Sequence, residues 1–264
     1  MIKIENAKEA QKDKEYVNAL IRFLYMVADD ELVIGHRDSE WLGVAPEIEE
    51  DIAFSSIAQD EVGHANYFYS LLEEFGEGDI DVIAFERKSP QRMNAVFVEL
   101  PNGDWAKTIL RHYLYDTFDD VRLDAMIDSS YLPIAFGARK MKREEHYHLI
   151  HMETLVRRLG TAGGEALERL KRGFGILWGN VGDLFALPEG FKEFSEFGIL
   201  TQTVSDLQRE WLLRIEKVLK ESGIIDKTAK LTVPVGTRTN HSDALDELIE
   251  TLLEVHEIDR SATW

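Results

Sequence analysis

The sequence predicts an all-α protein, a four-helix bundle followed by additional C-terminal helices. Apolar residues recur in steps of three and four along residues 15–160, the period of one helix face. Two Glu-x-x-His motifs, Glu61 to His64 and Glu145 to His148, fall in phase with those stripes. Each follows an acid on the preceding stripe, Glu31 by 30 residues and Asp116 by 29, so one pattern occurs twice at nearly one spacing. Four helices that direct these groups inward make a dinuclear carboxylate site.

The first helix is expected from Glu15 to about His36, with Leu20, Leu24, Val27, Glu31 and Ile34 on one face and Glu31 as the only acid of that stripe. Gly43 to Pro46 breaks it. Pro46 suits the first turn of a second helix, and Glu47, Glu49, Glu50 and Asp51 favour the positive end of its dipole. That helix runs to about Phe75, before Gly76 and Gly78, and its stripe is Phe54, Ile57, Glu61, His64, Phe68 and Leu71. Residues 77–103 hold Pro90, Pro101 and Asn102-Gly103 and are assigned to a long crossover connection. Asp104 caps a third helix with the stripe Ala106, Ile109, Tyr113, Asp116, Asp120, Leu123 and Ile127. Pro133 opens a fourth, striped by Ile134, Ala138, Met141, Glu145, His148, Met152, Leu155 and Leu159 and ending at Gly160. A fifth helix is expected over Gly164 to Phe185, a sixth over about Phe191 to Ser222, irregular chain over Thr232 to Thr239, and a last amphipathic helix from Ser242 or Asp243. Residues 1–264 are read as one domain, with about 15–160 the four-helix core and 161–264 packing or interface helices.

Composition narrows the function. With 264 residues, 44% of them hydrophobic, the chain can bury a sizeable core. Its net charge of −19 repels nucleic-acid phosphates and anionic lipid, so neither is an expected partner. The absence of cysteine excludes disulfides and thiolate ligands and fits a reducing cytoplasm. The N-terminal residues are charged throughout, and no apolar run approaches the roughly 20 residues of a membrane span, so a soluble, uncleaved chain is expected.

Glu and His three apart on a helix lie on adjacent turns of one face, so the carboxylate can bridge two metals while the imidazole binds one terminally. One metal would take Glu31, bridging Glu61 and His64; the other would take Asp116, bridging Glu145 and His148. N/O ligation of this kind suits iron, with manganese as the alternative and an empty site as a third case. A single Glu-x-x-His is expected roughly once by chance in such a composition, so the weight lies on the repeat and its phase. Asp120 shares the stripe with Asp116 and is the other candidate ligand; Asp116 is favoured because it keeps the spacing of the first half. His146 and His151 fall off the stripe and read as surface or supporting residues. Asp30 reads as solvated or as the partner of a ligand histidine, and Tyr113 and Phe68 read as core. The run Arg139, Lys140, Lys142 and Arg143 reads as a solvated face, with an acyl-CoA phosphate or an acidic partner protein as alternatives.

Several separated segments carry a family resemblance. They are Ile34-Gly35-His36-Arg37-Asp38-Ser39-Glu40-Trp41-Leu42-Gly43 followed by Pro46 to Ala53, then Glu99-Leu100-Pro101-Asn102-Gly103-Asp104-Trp105-Ala106, Tyr147-His148-Leu149-Ile150-His151, Leu177-Trp178 and Asp183-Leu184-Phe185. Over about Val27 to Pro188 the chain resembles the C subunits of ring-1,2-phenylacetyl-CoA epoxidases. The resemblance implies a ferritin-like subunit of a multicomponent bacterial monooxygenase in phenylacetate breakdown. It further implies an A-type catalytic subunit that carries a di-iron centre and epoxidises the aromatic ring of phenylacetyl-CoA with O2, a small bridging B subunit, and a flavin and iron–sulfur reductase supplied by NADPH. The protein is then an oligomer that meets phenylacetyl-CoA through the complex. C subunits of this kind are regarded as structural because much of the ligand set is lost, whereas Glu31, Glu61, His64, Asp116, Glu145 and His148 match the pattern of the catalytic relatives position by position.

Overall fold

A computed structural model describes residues 3–188 and 193–259. The chain is all-α, with the helix order of a ferritin-like four-helix bundle and additional C-terminal helices. The helices are α1 (Ala7–Ala10), α2 (Lys14–Ser39), α3 (Ile48–Glu74), α4 (Ile80–Phe85), α5 (Val96–Glu99), α6 (Trp105–Met126), α7 (Leu132–Ala162), α8 (Gly164–Leu177), α9 (Val204–Glu221) and α10 (Asp243–Leu253). Among the described residues there is no strand, only an isolated bridge between Ile4 and Tyr131. The chain divides into two compact units, one of residues 1–20 and 102–237, the other of residues 21–101 and 238–264.

In the unit that holds residues 21–101, α2 and α3 run antiparallel: Gly35 lies against Ala58 to Val62, Glu31 against His64 and Asp29 against Tyr69. Gly35 makes the approach possible, because a Cβ there would stand 2.9 Å from the Glu61 Cβ and 3.3 Å from the Ala58 carbonyl. Helix α3 starts at Ile48 after an extended Glu47, so Pro46 precedes the cap where the first turn was expected. The crossover is less featureless than its prolines suggest. Asp79 caps α4 by accepting from the Asp81 N–H, a 3₁₀ turn covers Ser89–Gln91, and α5 follows.

Buried acids of α2 and α5 tie this connection and the C-terminal segment down. Asp29 accepts from the Tyr69 hydroxyl at 2.7 Å and the Met93 N–H at 2.8 Å and is paired with Arg87. Asp30 accepts from the Ala95 N–H at 2.8 Å and from both ends of the Arg238 guanidinium at 2.9–3.0 Å. Glu99 accepts from Asn94 Nδ2 at 3.0 Å and from the Ser242 N–H at 2.6 Å, while its carbonyl accepts from Arg37. Helix α10 starts at Asp243, one of the two expected starting residues, and buries Leu245, Leu248 and Ile249.

In the other unit α6 is the central helix: only Trp105, Lys107 and Asp124 along its length are not buried. Asp104 caps it as expected by accepting from the Lys107 N–H at 2.9 Å. Helix α7 packs antiparallel to α6, with Pro133 in its first turn, and ends two residues beyond the expected Gly160. Trp211 of α9 donates Nε1–H to the Leu114 carbonyl at 2.9 Å and stacks on Trp178. The expected fifth helix tightens to 3₁₀ at Trp178–Phe185, because this stretch meets the irregular segment near Pro234. A Cβ on Gly182 would stand 2.2 Å from the Pro234 carbonyl, and Asp183 Oδ1 accepts from the Thr237 N–H at 2.8 Å. The sixth helix starts at Val204, capped by Thr203, and residues 193–203 are not helical. The expected start at Phe191 lies outside the described residues.

Candidate metal centre

Glu31, Glu61 and His64 come together on the facing turns of α2 and α3, all three buried. His64 Nδ1 lies 3.8 Å from Glu31 Oε2 and 3.9 Å from Glu61 Oε2, and one ligand atom from each residue lies within 4.8 Å of the others. Those separations exceed a hydrogen bond. Two ligands that each sit about 2.0–2.2 Å from one ion stand roughly 3–4 Å apart, so the spacing suits a shared cation. Two carboxylates and an imidazole with no thiolate form an N/O donor set, and this buried group can hold a metal ion.

On α6 and α7, Glu145 and His148 are likewise buried, with His148 Nδ1 3.1 Å from Glu145 Oε1. Asp116 is buried beside them. Burial raises its pKa, His112 lowers it, Glu145 raises it and His148 lowers it; the net shift is upward. Its Oδ1 lies 3.1 Å from His112 Nδ1, while its buried Oδ2 has no hydrogen-bond partner among the described residues. A buried carboxylate oxygen left in that state costs on the order of 1–3 kcal/mol, and a metal ion bound there removes the cost.

The other acids of α6 are already matched by cations. Asp119 accepts from Arg122 Nε at 2.7 Å. Asp120 accepts from Arg214 Nη1 at 2.5 Å and pairs with Lys142 Nζ at 2.9 Å. Asp120 is thus neutralised by protein cations, and Asp116 is the acid of this helix with an oxygen to spare. Asp30, read from the sequence as solvated or partnered by a ligand histidine, is fully buried and bound by Arg238. His146 is exposed and His151 half-buried, as their place off the stripe suggests; Tyr113 and Phe68 are core. Arg139 reaches the Ile127 carbonyl and Lys142 the Asp120 carboxylate, so part of the basic run is engaged by the chain itself.

Sequence reasoning missed His112, Arg87 and Arg238. The position of His112 one turn before Asp116 was a usable signal. The arginines carried none, since Arg238 meets Asp30 across 208 residues of chain.

The whole chain, residues 1–264, matches the family described as Phenylacetic acid catabolic protein. The chain belongs to this family. Within it, the chain is 34% identical over 184 residues to the C subunit of the 1,2-phenylacetyl-CoA epoxidase of Escherichia coli (strain K12), covering 69% of this chain and 74% of that one. It is 28% identical over 133 residues to the A subunit of the same enzyme, 50% of this chain and 43% of that one. No described helix of this family member is long and apolar enough to cross a membrane.

Proposed function

We propose that this chain is a C-type subunit of a multicomponent bacterial monooxygenase that epoxidises the aromatic ring of phenylacetyl-CoA, and that its main work is to bind and stabilise an A-type catalytic subunit. The observation that carries this reading is the family match over the full chain together with 34% identity to the C subunit of such an epoxidase. A bridging B subunit, together with a flavin and iron–sulfur reductase, completes the assembly, which is cytoplasmic. Residues 1–264 act in it as one ferritin-like domain.

The metal reading belongs to the same proposal. Glu31, Glu61, His64, Asp116, Glu145 and His148 would hold a dinuclear metal centre, with iron preferred over manganese. Support comes from the buried Glu31, Glu61 and His64 group, from the Glu145–His148 pair, and from the unsatisfied Oδ2 of Asp116. When bound, paired iron supplies redox chemistry toward O2. The chain's own residues would hold the ions and keep water away from them, since all six side chains are buried.

That complete ligand set favours a second reading, in which this chain is itself the di-iron oxygenase component that acts on an aromatic acyl-CoA. One experiment separates the two. The chain is purified without chelator, analysed for iron, and assembled with an A-type subunit mutated at its own ligands. Loss of epoxidation while this chain stays iron-loaded supports the partner role; turnover that persists supports the catalytic one. Failure to bind any A-type partner removes the first reading.

A further inference from the structure

Resting on the reading of Asp116 as a ligand, we propose that His112 is a positioning residue that holds the Asp116 carboxylate through Oδ1 and leaves Oδ2 as the atom offered to the metal. His112 sits one helical turn before Asp116, so both side chains project from one face of α6. It is fully buried, and its Nδ1 is 3.1 Å from Asp116 Oδ1. A carboxylate held ionised by a metal only accepts hydrogen bonds, so with the metal in place Nδ1 would carry the proton. With Oδ1 engaged and Oδ2 lacking a hydrogen bond, the two oxygens of one carboxylate have different tasks.

The equivalent position in the first half of the pattern is not a histidine. The residue one turn before Glu31 is Val27, an apolar core side chain. Glutamate reaches further by one methylene, whereas aspartate is shorter and needs its carboxylate aimed. Partners behind a ligand that fix its orientation typically change metal affinity by about 10–100-fold when removed. The two proposed ligand groups therefore differ one turn before the acid, and His112 contacts the acid of the second.

The test is a Co(II) titration of the full chain under anaerobic conditions, with bound metal per chain read after desalting. Wild type is expected to take up two equivalents. His112→Asn keeps an N–H near the Nδ1 position and should hold both near wild-type affinity. His112→Phe keeps ring bulk without the donor and should weaken one equivalent by about 10–100-fold while the other is unchanged. A folded His112→Phe that binds both equivalents like wild type, or equal losses in both variants, overturns the proposal and leaves His112 as packing. Should His112→Phe fail to fold, wild type decides: in the Zn(II)-loaded chain a hydrogen-bonded imidazole N–H proton resonance that vanishes in His112→Asn supports the proposal, and its absence overturns it. A wild type that takes up no metal, or a Glu145→Ala variant that loses none, removes the ligand reading itself and the proposal with it. That outcome is distinct from one confined to the His112 variants.

Discussion

Two stretches of buried acid, Asp29-Asp30-Glu31 on α2 and Asp116 to Asp120 on α6, solve the same physical problem in parallel. A carboxylate taken out of water needs a compensating cation or hydrogen bonds. On α2, Arg87 and Arg238 supply cations to Asp29 and Asp30. On α6, Arg122 serves Asp119, and Arg214 with Lys142 serves Asp120. In each stretch one further acid, Glu31 or Asp116, stands beside a Glu-x-x-His pair. The contrast shows in the pKa shifts. Burial raises the pKa of Asp29, but Arg87, Arg92 and Tyr69 outweigh it and bring it below the ordinary value. For Asp116 burial wins over the help of His112 and His148, and the value stays raised. An acid matched by guanidinium is held ionised; an acid whose pKa burial raises, as Asp116's is, takes a proton more readily, and a bound cation would hold it ionised instead.

The largest expected effects come from removing the acids proposed to meet a metal. Glu61→Ala and Glu145→Ala each delete a proposed bridge and should abolish dinuclear metal binding, measured as metal per chain. Unchanged stoichiometry in both would break the comparison. Asp116→Asn should cost one equivalent, whereas Asp120→Asn, whose carboxylate is already engaged by Arg214 and Lys142, should leave uptake as it is. The reverse outcome would exchange the roles of the two aspartates.

Next in size is the removal of a matched cation. Arg238→Met leaves Asp30 buried without its guanidinium, and breaking such a pair costs about 3–5 kcal/mol. Chemical denaturation should show that loss in the unit formed by residues 21–101 and 238–264. A cost under about 1 kcal/mol would mean that water or another group compensates Asp30 at little expense. Smaller again is Gly35→Ala. Its new methyl would press on the Glu61 Cβ at 2.9 Å, forcing α2 and α3 apart at the level of the proposed ligands. Overpacking of this kind costs about 1–3 kcal/mol, and the first group's metal affinity should fall with it. A variant as stable and as metal-competent as wild type would show that the helices have room to slide.

These results also mark where sequence was readable. The long helices were, because Phe54, Ile57, Phe68, Ile134 and Met152 keep strict helical phase and Asp104 is a capping residue. The residues of the proposed site were nameable for the same reason, since Glu31, Glu61, Glu145 and His148 occupy stripe positions that are otherwise apolar. What escaped depends on contacts distant in the chain. The 3₁₀ stretch at Trp178–Phe185 is set by the approach of Pro234 to Gly182. Asp120 resembled a ligand until Arg214 of α9 was seen to reach it, and no local pattern announces that meeting.

The smallest effect concerns pH and sharpens the contrast between acids matched by permanent cations and one matched by a titratable group. His241 presents Nδ1 to Glu99 Oε2 and Nε2 to the Arg92 carbonyl, each at 3.0 Å. The carbonyl, and the carboxylate when ionised, can only accept, so this geometry suits the imidazolium, which donates from both nitrogens. Burial lowers the His241 pKa, but the Glu99 hydrogen bond, the Arg92 carbonyl and the charges of Glu99 and Asp29 outweigh it and raise it above 6.5. A raised folded pKa makes the charged form stabilising, so the contribution is complete below the unfolded value of about 6.5 and is lost as pH climbs through the folded one. The stability gap between wild type and His241→Gln, measured in urea at a series of pH values, should therefore narrow from acid to alkaline conditions. The gap between wild type and Arg238→Met should stay level over the same range, because guanidinium does not titrate there. A His241 gap that widens with pH would mean the ring sits neutral in the folded chain.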